Sequence, residues 1–280
     1  MLTTETVLVG TAPTISVVWS DQNGEPIAAP STPTVEVHSS QGAAVASGTA
    51  TADGDQYTFT LPTVSSTDIL SAAWTADGQT RTTSVEVAGG VYFTVDQARQ
   101  TDKSLTDTTR YSAARIIERR RITEHEIEAA AGVAFVPRFA IVETRGTGTE
   151  TVMLPLYYVR SVRWAMAIAT DGSSTMLTVA QVSGTGKITF TTTVDATARV
   201  VVGVEHGHDR PPAGMAEQAI VLMRARLAQV NSAIPSRAER YQSDGNGATY
   251  ILAQPGRKKF GIPDLDALIA RHGVQIEGIA

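Results

Sequence analysis

Three short segments hold residue types that could do chemistry. Ser183-Gly184-Thr185-Gly186-Lys187 resembles a phosphate-binding loop in composition. A working loop needs the longer GxxxxGK[ST] spacing and must open a helix, so that backbone N–H groups converge on the phosphate. Here Lys187 leads into Ile188-Thr189-Phe190, a strand pattern, and a hairpin turn is expected. His206-Gly207-His208-Asp209 has metal-ligand types, but no third strong ligand accompanies it and the segment runs toward a helix start. A polar, hydrogen-bonded loop is expected there. His125-Glu126 lacks the second His four residues on that a zinc-protease helix requires. No Ser-His-Asp set or carboxylate pair can be assembled, so neither enzyme activity nor a cofactor or metal is expected.

The strongest basic cluster is Arg119-Arg120-Arg121 with Arg115 before it. On a helix these residues form either a solvated face paired with Glu118, Glu124 and Glu128 or a surface that meets a neighbouring subunit or nucleic acid. Arg120 and Glu124 have the i,i+4 spacing of a helical ion pair. Arg115, Arg119, Arg120 and Glu124 are therefore the candidate intersubunit residues. Arg257-Lys258-Lys259 is a second basic run, near the C-terminus.

The rest of the chain must position these residues. At 280 residues it can form two ordinary domains. A hydrophobic fraction of 42% and a charged fraction of 18% are those of a globular protein. The absence of cysteine excludes disulfides and thiolate metal sites and fits assembly in a reducing cytosol. A net charge of -5 argues against gripping nucleic-acid phosphates as the main task. The N-terminus has no signal-peptide pattern, and no apolar run is long enough for a membrane span.

Residues 1–89 read as β. Strand-like runs at Thr14–Ser20, Thr34–Ser39, Gln56–Leu61, Ser71–Ala76 and Thr80–Val87 alternate with the turn signals Asn23-Gly24, Asp53-Gly54 and Asp77-Gly78. Asp77-Gly78 is the clearest hairpin. The spacing predicts a small immunoglobulin-like sandwich with Trp19 and Trp74 in its core. Gly89-Gly90 reads as a hinge.

Residues 90–280 mix helix and strand. Thr94–Gln100 is expected to be a short helix capped by Thr94, and Thr106–Ala131 a long one stopped by Gly132. Thr123-Glu124-His125-Glu126 is a capping-box pattern, so the long helix either restarts there or runs through unbroken. Residues 133–205 return to β, with expected strands Phe139–Glu143, Glu150–Leu154, Val159–Ala169, Met176–Val182, Lys187–Thr191 and Ala198–Glu205. Pro211-Pro212 precedes an amphipathic helix over about 213–231. The arm over 237–280 carries a possible strand at Ala248–Ala253 and a helix at Pro263–His272, with Gly273 as a left-handed stop. The helix sets Leu265, Leu268 and Ile269 on one side, and its groove lies either on another chain or on this subunit. The fold class is thus α+β multidomain: an all-β sandwich, then a helical domain with a β insertion and a C-terminal arm.

From Asp96 onward the order of features resembles the head-to-tail connector, or adaptor, family of tailed phages, particularly siphophages of actinobacteria. The matching segments are Leu105-Thr106-Asp107, Tyr111–Arg119, Ala131–Arg138, Val204–Gly207, Pro211-Pro212, Ala233–Arg237 and Gly261–Leu268. The resemblance implies a non-enzymatic virion subunit assembled in the host cytoplasm. It implies a ring of identical copies, usually a dodecamer, beneath the portal protein and above a downstream neck or tail-completion protein. Genomic double-stranded DNA would pass through without sequence-specific binding, and no membrane is involved. It also makes the portal the expected partner of the arm through Ile262, Pro263, Leu265, Leu268 and Ile269. The rival readings are a glycan-binding β module of a fibre or baseplate, and another neck protein such as a stopper or tail-completion subunit.

Overall fold

The computed structural model describes residues 4–229, 238–244, 247–252 and 260–274. The chain is mixed α+β and divides into two compact units. The first joins Met1–Gly90 to Val136–Asp209, and the second joins Val91–Phe135 to Arg210–Ala280. A division falls after Gly90, but the β insertion groups with the N-terminal strands and not, as expected, with the helices.

The N-terminal part of the first unit is a β sandwich. Its strands are β1 (Thr4–Leu8), β2 (Thr14–Val18), β3 (Thr34–His38), β4 (Ala44–Thr49), β5 (Thr51–Asp53), β6 (Gln56–Thr60), β7 (Asp68–Ala76) and β8 (Gln79–Ala88). One sheet has the order β1-β8-β7-β3-β4 and the other β2-β6-β5. Alternation decides which side chains go inward: Ile15 and Val17 from one sheet meet Val35, Val37, Ala72, Trp74, Val85 and Val87 from the other. Trp19 and Trp74 are both in this core, as expected. Trp74 keeps its buried N–H satisfied by donating to Thr83 Oγ1 at 2.9 Å. The Asp77-Gly78 hairpin forms with both residues at positive φ, 47° and 75°, as a type I′ turn requires. Strands β1, β4 and β5 lie outside the expected runs. β1 is the parallel edge strand, aligned with β8 from Thr4↔Ser84 to Leu8↔Ala88.

The insertion contributes β9 (Arg138–Arg145), β10 (Thr151–Met153), β11 (Val159–Ile168), β12 (Ser174–Met176), β13 (Val179–Val182), β14 (Lys187–Phe190) and β15 (Arg199–His206). They form two sheets, β12-β11-β15-β9 and β10-β14-β13, around Val152, Ile188, Phe190, Ala165, Val200, Val202 and Val204. The single strand expected at Met176–Val182 is two strands in different sheets. Leu177 N–H donates to Ala165 of β11, whereas Thr178 C=O accepts from Thr191 beyond β14. The chain changes sheet between those two residues.

The insertion and the sandwich are tied by buried polar contacts. Gly89 N–H donates to Pro137 C=O at 2.8 Å, and a Cβ on Gly89 would stand 2.6 Å from Pro137 Cβ. Gly89 is therefore a close-packing position where only hydrogen fits, not a free hinge. Arg138 Nη1 lies 3.2 Å from Glu86 Oε1, with both side chains under 10% exposed, and Thr6 Oγ1 donates to Glu86 Oε2 at 3.1 Å. That contact links β1, β8 and β9.

In the second unit, α1 (Val95–Thr101) begins with the expected cap: Gln97 N–H donates to Thr94 Oγ1, and Thr94 N–H donates to Gln97 Oε1. A 3-10 turn, Lys103–Thr106, follows. The long helix α2 (Ala113–Ala131) starts later than expected. The Asp107 carboxylate first collects the N–H groups of Thr109 and Arg110, and Ser112 then caps Arg115. α2 runs unbroken through Thr123 to Gly132, which takes the left-handed conformation at φ 69°. α3 (Met215–Gln229) and α4 (Pro263–His272) pack with α2, and α4 has the expected bounds. Strand β17 (Gly247–Leu252) covers the expected strand near Ala248 and pairs with β16 (Ala238–Asp244) as a hairpin.

Candidate functional site

The α2 face that carries the arginine cluster is divided between internal and external work. The segment before α1 leaves Tyr92 N–H and Phe93 C=O in need of partners, and buried main-chain groups must find them. Arg120 Nη1 donates to Phe93 C=O at 2.9 Å, and Tyr92 N–H donates to Glu124 Oε1 at 2.8 Å. Arg120 Nε stands 3.7 Å from the same carboxylate, with the two side chains 11% and 1% exposed. Tyr92 Oη donates to Glu128 Oε1 at 3.3 Å, and its ring meets Phe135 edge-on at 6.2 Å. Arg120 and Glu124, expected at an intersubunit surface, are thus buried in this subunit's own polar network. Arg115 and Arg119 are only half-buried, and Arg115 also donates to Arg110 C=O at 3.2 Å. Glu126 pairs with Arg226 of α3 at 3.3 Å, which is what an unbroken helix does with the residue the capping-box reading would have used.

The C-terminal helix is also partly committed. Leu265 and Ile269 are buried where α4 packs with α2 and α3, so for these two side chains the groove is this subunit's own. Ile262 and Leu268 are half-buried, and Pro263 is exposed. Asp266 accepts from Phe260 N–H and Gly261 N–H at 3.0 and 3.1 Å, folding the approach segment back onto the helix. Gly273 has φ −74°, so it is not the expected left-handed stop. It is glycine for want of space: a Cβ there would lie 2.6 Å from Ile269 O and 2.8 Å from Ala131 O. Val274 N–H donates to Ala131 C=O at 2.8 Å, so the ends of α2 and α4 are joined. A shallow cleft between the start of α3 and α4 is lined by Gly214, Gln218, Asp264, Leu268 and Arg271. Ala233–Arg237 and Arg257–Lys259 lie outside the described residues.

The segments singled out for chemistry have other occupations. Ser183–Lys187 is a hairpin turn, with Ser183 N–H donating to Lys187 C=O and Gly186 N–H to Ser183 C=O. His206 ends β15 opposite Arg138 of β9. Burial, then the Arg138 cation, push its imidazole down to about 4, against an upward pull from Glu86. His208 stacks on Tyr158 with ring centroids 3.9 Å apart, and Asp209 pairs with Arg160. No group of three His, Asp or Glu among the described residues is placed to hold a metal ion.

No protein-family model matches the chain, and no curated protein matches it. Among solved structures it is similar to a chain in the virion of a native gene transfer agent particle, with 18% identity, 60% of this chain and 81% of that chain covered, and a TM-score of 0.40. It is similar to a chain in the neck of an empty particle of the same kind, with 19% identity, 67% and 93% covered, and a TM-score of 0.40. A chimeric titin Z1Z2 tandem shares 12% identity over 72% of this chain and 93% of that one, with a TM-score of 0.26. All three scores fall below the level at which two chains share an overall fold.

Glu205 anchors a further network that the sequence reading did not single out. Its carboxylate accepts from Thr67 Oγ1 at 2.8 Å, Arg160 Nε at 2.9 Å and Arg163 Nη2 at 2.9 Å. Burial alone would raise its pKa, but the hydrogen bonds from Thr67, Arg163 and Arg160 together hold it below the usual carboxylate range. Residues 1–90 hold nine carboxylates and one cationic residue, Arg81. Thr67, one of the three partners of Glu205, lies 138 positions from it, and the three share no sequence signal.

Proposed function

We propose that the chain is a structural subunit of a phage-type neck, an adaptor that assembles as a ring beneath the portal and surrounds the path of genomic DNA. The observation that carries this reading is where the family-like segments fall. Leu105, Tyr111, Ala131 and the run Val133–Arg138 are buried, and Gly261–Leu268 forms the approach and first turns of α4. Segments far apart in sequence come together around α2: α4 packs on it, and Val274 bonds to Ala131. Of the residues that resemble the adaptor family, Leu105–Asp107, Tyr111–Arg119, Ala131–Phe135 and Gly261–Leu268 belong to the helical unit, whereas Val136–Arg138 and Val204–Gly207 belong to the first unit.

In this reading the subunit is not an enzyme and works in the virion after assembly in the host cytoplasm. Arg115 and Arg119 meet the neighbouring copy, while Ile262, Pro263 and the outer side of α4 face the portal. A downstream neck or tail-completion protein follows. An anionic sandwich with one cationic residue suits a protein that lets DNA pass without holding it. Trp19 and Trp74, buried in the sandwich, offer no platform for a glycan.

Negative-stain images of the purified full-length protein, alone and mixed with its portal, test this directly. The expected result is a closed ring with an axial channel, stacked on the portal. A protein that stays monomeric at high concentration and ignores the portal would overturn it.

A further inference from the structure

The loop that leads into α2 gathers positive charge without neutralising it. Residues 99–115 hold four cations and two carboxylates, and one of those two, Asp102, is paired with Arg224 of α3. Arg99 donates from Nε to Leu105 C=O and from Nη2 to Tyr111 C=O, both at 3.3 Å. Arg115 Nη1 donates to Arg110 C=O at 3.2 Å, and the Arg110 guanidinium lies 5.2 Å from the centre of the Tyr111 ring. Carbonyls and a ring position these three guanidiniums but cancel none of their charge. None of the three has a carboxylate partner among the described residues. Asp107, in the same loop, uses its carboxylate to accept the N–H groups of Thr109 and Arg110.

The N-terminal sandwich has the opposite surplus, gathered at one of its ends. β2 finishes where Val18 meets Gln56, and Asp53 of β5 pairs with the same Gln56. Ser20 bridges to Pro26 just beyond, and Arg81 of β8 donates to Ser20 C=O, which brings the β7–β8 turn to that end too. Asp21, Glu25, Asp53, Asp55 and Asp77 therefore share one end, and the last four are exposed. They are five of the nine carboxylates of residues 1–90. The N–H groups of Glu25 and Asn23 hold the Asp21 carboxyl below its usual range, so it is ionised at neutral pH. Arg81, the one Lys or Arg of residues 1–90, is committed to Ser20 and, at 5.2 Å, to the Trp19 ring.

We propose that the loop bearing Arg99, Arg110 and Arg115 docks on the acidic end of the sandwich of a second copy. Charge selects this occupant. A nucleic acid would have to approach a chain of net charge -5, whereas another copy brings five carboxylates in one place. Two different patches on one chain make a head-to-tail contact, which can repeat from copy to copy. The proposal deepens the reading in which Arg115 meets a neighbouring copy, and rests on it. Sedimentation of the full-length protein tests the pairing. Exposed charges are screened, so raising salt from about 0.05 to about 0.5 M should weaken association roughly tenfold. Arg110→Glu with Arg115→Glu should melt like the wild type yet associate roughly tenfold more weakly or worse. Asp53→Lys with Asp55→Lys, both in an exposed turn, should do the same. Mixing these two variants should restore association, because the reversed charges then face each other. Normal association of either variant, or a mixture no stronger than its parts, would sink this contact and leave the copies meeting elsewhere. Loss of duplex-DNA binding in the arginine variant, with self-association intact, would assign the loop to phosphate instead. A wild type that stays monomeric at low salt would remove both the contact and the neighbouring copy.

Discussion

Trp164 of β11 occupies the space that a side chain on Gly203 of β15 would need. The two are register partners, and a Cβ on Gly203 would fall 2.3 Å from Trp164 Nε1 and 2.9 Å from Phe139 Cζ. The indole N–H also lies 3.4 Å from Ser40 Oγ in the turn after β3, so the ring bridges insertion and sandwich. Gly203→Ala should therefore cost about 1–3 kcal/mol, the range for overpacking, and quench or shift Trp164 fluorescence. Chemical denaturation followed at that tryptophan measures it; an unchanged midpoint would mean the indole is not held there.

Acid should loosen the first unit through His206. Its pKa is about 4 in the fold, against about 6.5 in the unfolded chain. Between those values the unfolded chain binds the extra proton, so the stabilising contribution is complete above pH 6.5 and fades as pH falls toward 4. The loss is on the order of 3 kcal/mol. Melts of the wild type and His206→Gln across that window should diverge, with the variant flatter.

The buried pair Arg138–Glu86 should behave asymmetrically. Replacing Arg138 alone by Met strands a buried carboxylate and should cost about 3–5 kcal/mol. Replacing both residues by apolar ones of similar size should recover most of that loss. A double-mutant cycle in urea decides between this and two independent losses.

On α2 two neighbouring arginines should separate. Arg120→Ala removes a donor from Phe93 and a partner from buried Glu124, and should lower stability by about 3 kcal/mol. Arg119→Glu, on the outer side, should change the melt by no more than about 0.5 kcal/mol. If Arg119 meets the next copy, its reversal should nevertheless impair ring assembly by light scattering. Equal effects of the two variants in both measurements would defeat the division.

The C-terminal helix should count toward the stability of its own subunit. Leu265→Ala should cost about 2–5 kcal/mol, the usual range for a buried leucine. Truncation after Phe260 should cost more. A truncated protein with an unchanged melt would return Leu265 to a partner's groove.

Local chemistry was legible in the residues themselves. Thr94 with Gln97, Gly132, Asp77-Gly78 and Pro263 each mark a cap or turn whose physics is complete within a few residues, and each formed as read. The core tryptophans followed from alternation, which also depends only on near neighbours. Partnership across the chain was not legible. Arg120 and Glu124 have the spacing of a surface ion pair, and only the path of Tyr92 and Phe93 over α2 turns them inward. Gly89-Gly90 has the composition of a hinge, but Pro137, 48 positions on, leaves room there for nothing larger than hydrogen. Grouping the insertion with the sandwich depends on Glu86 meeting Arg138 and Thr67 meeting Glu205. Local propensity acts over a turn or a strand, so the sequence could determine elements and their ends. Which charges are buried, and which glycine is a hinge or a contact, depends on segments that meet only when the whole chain has folded.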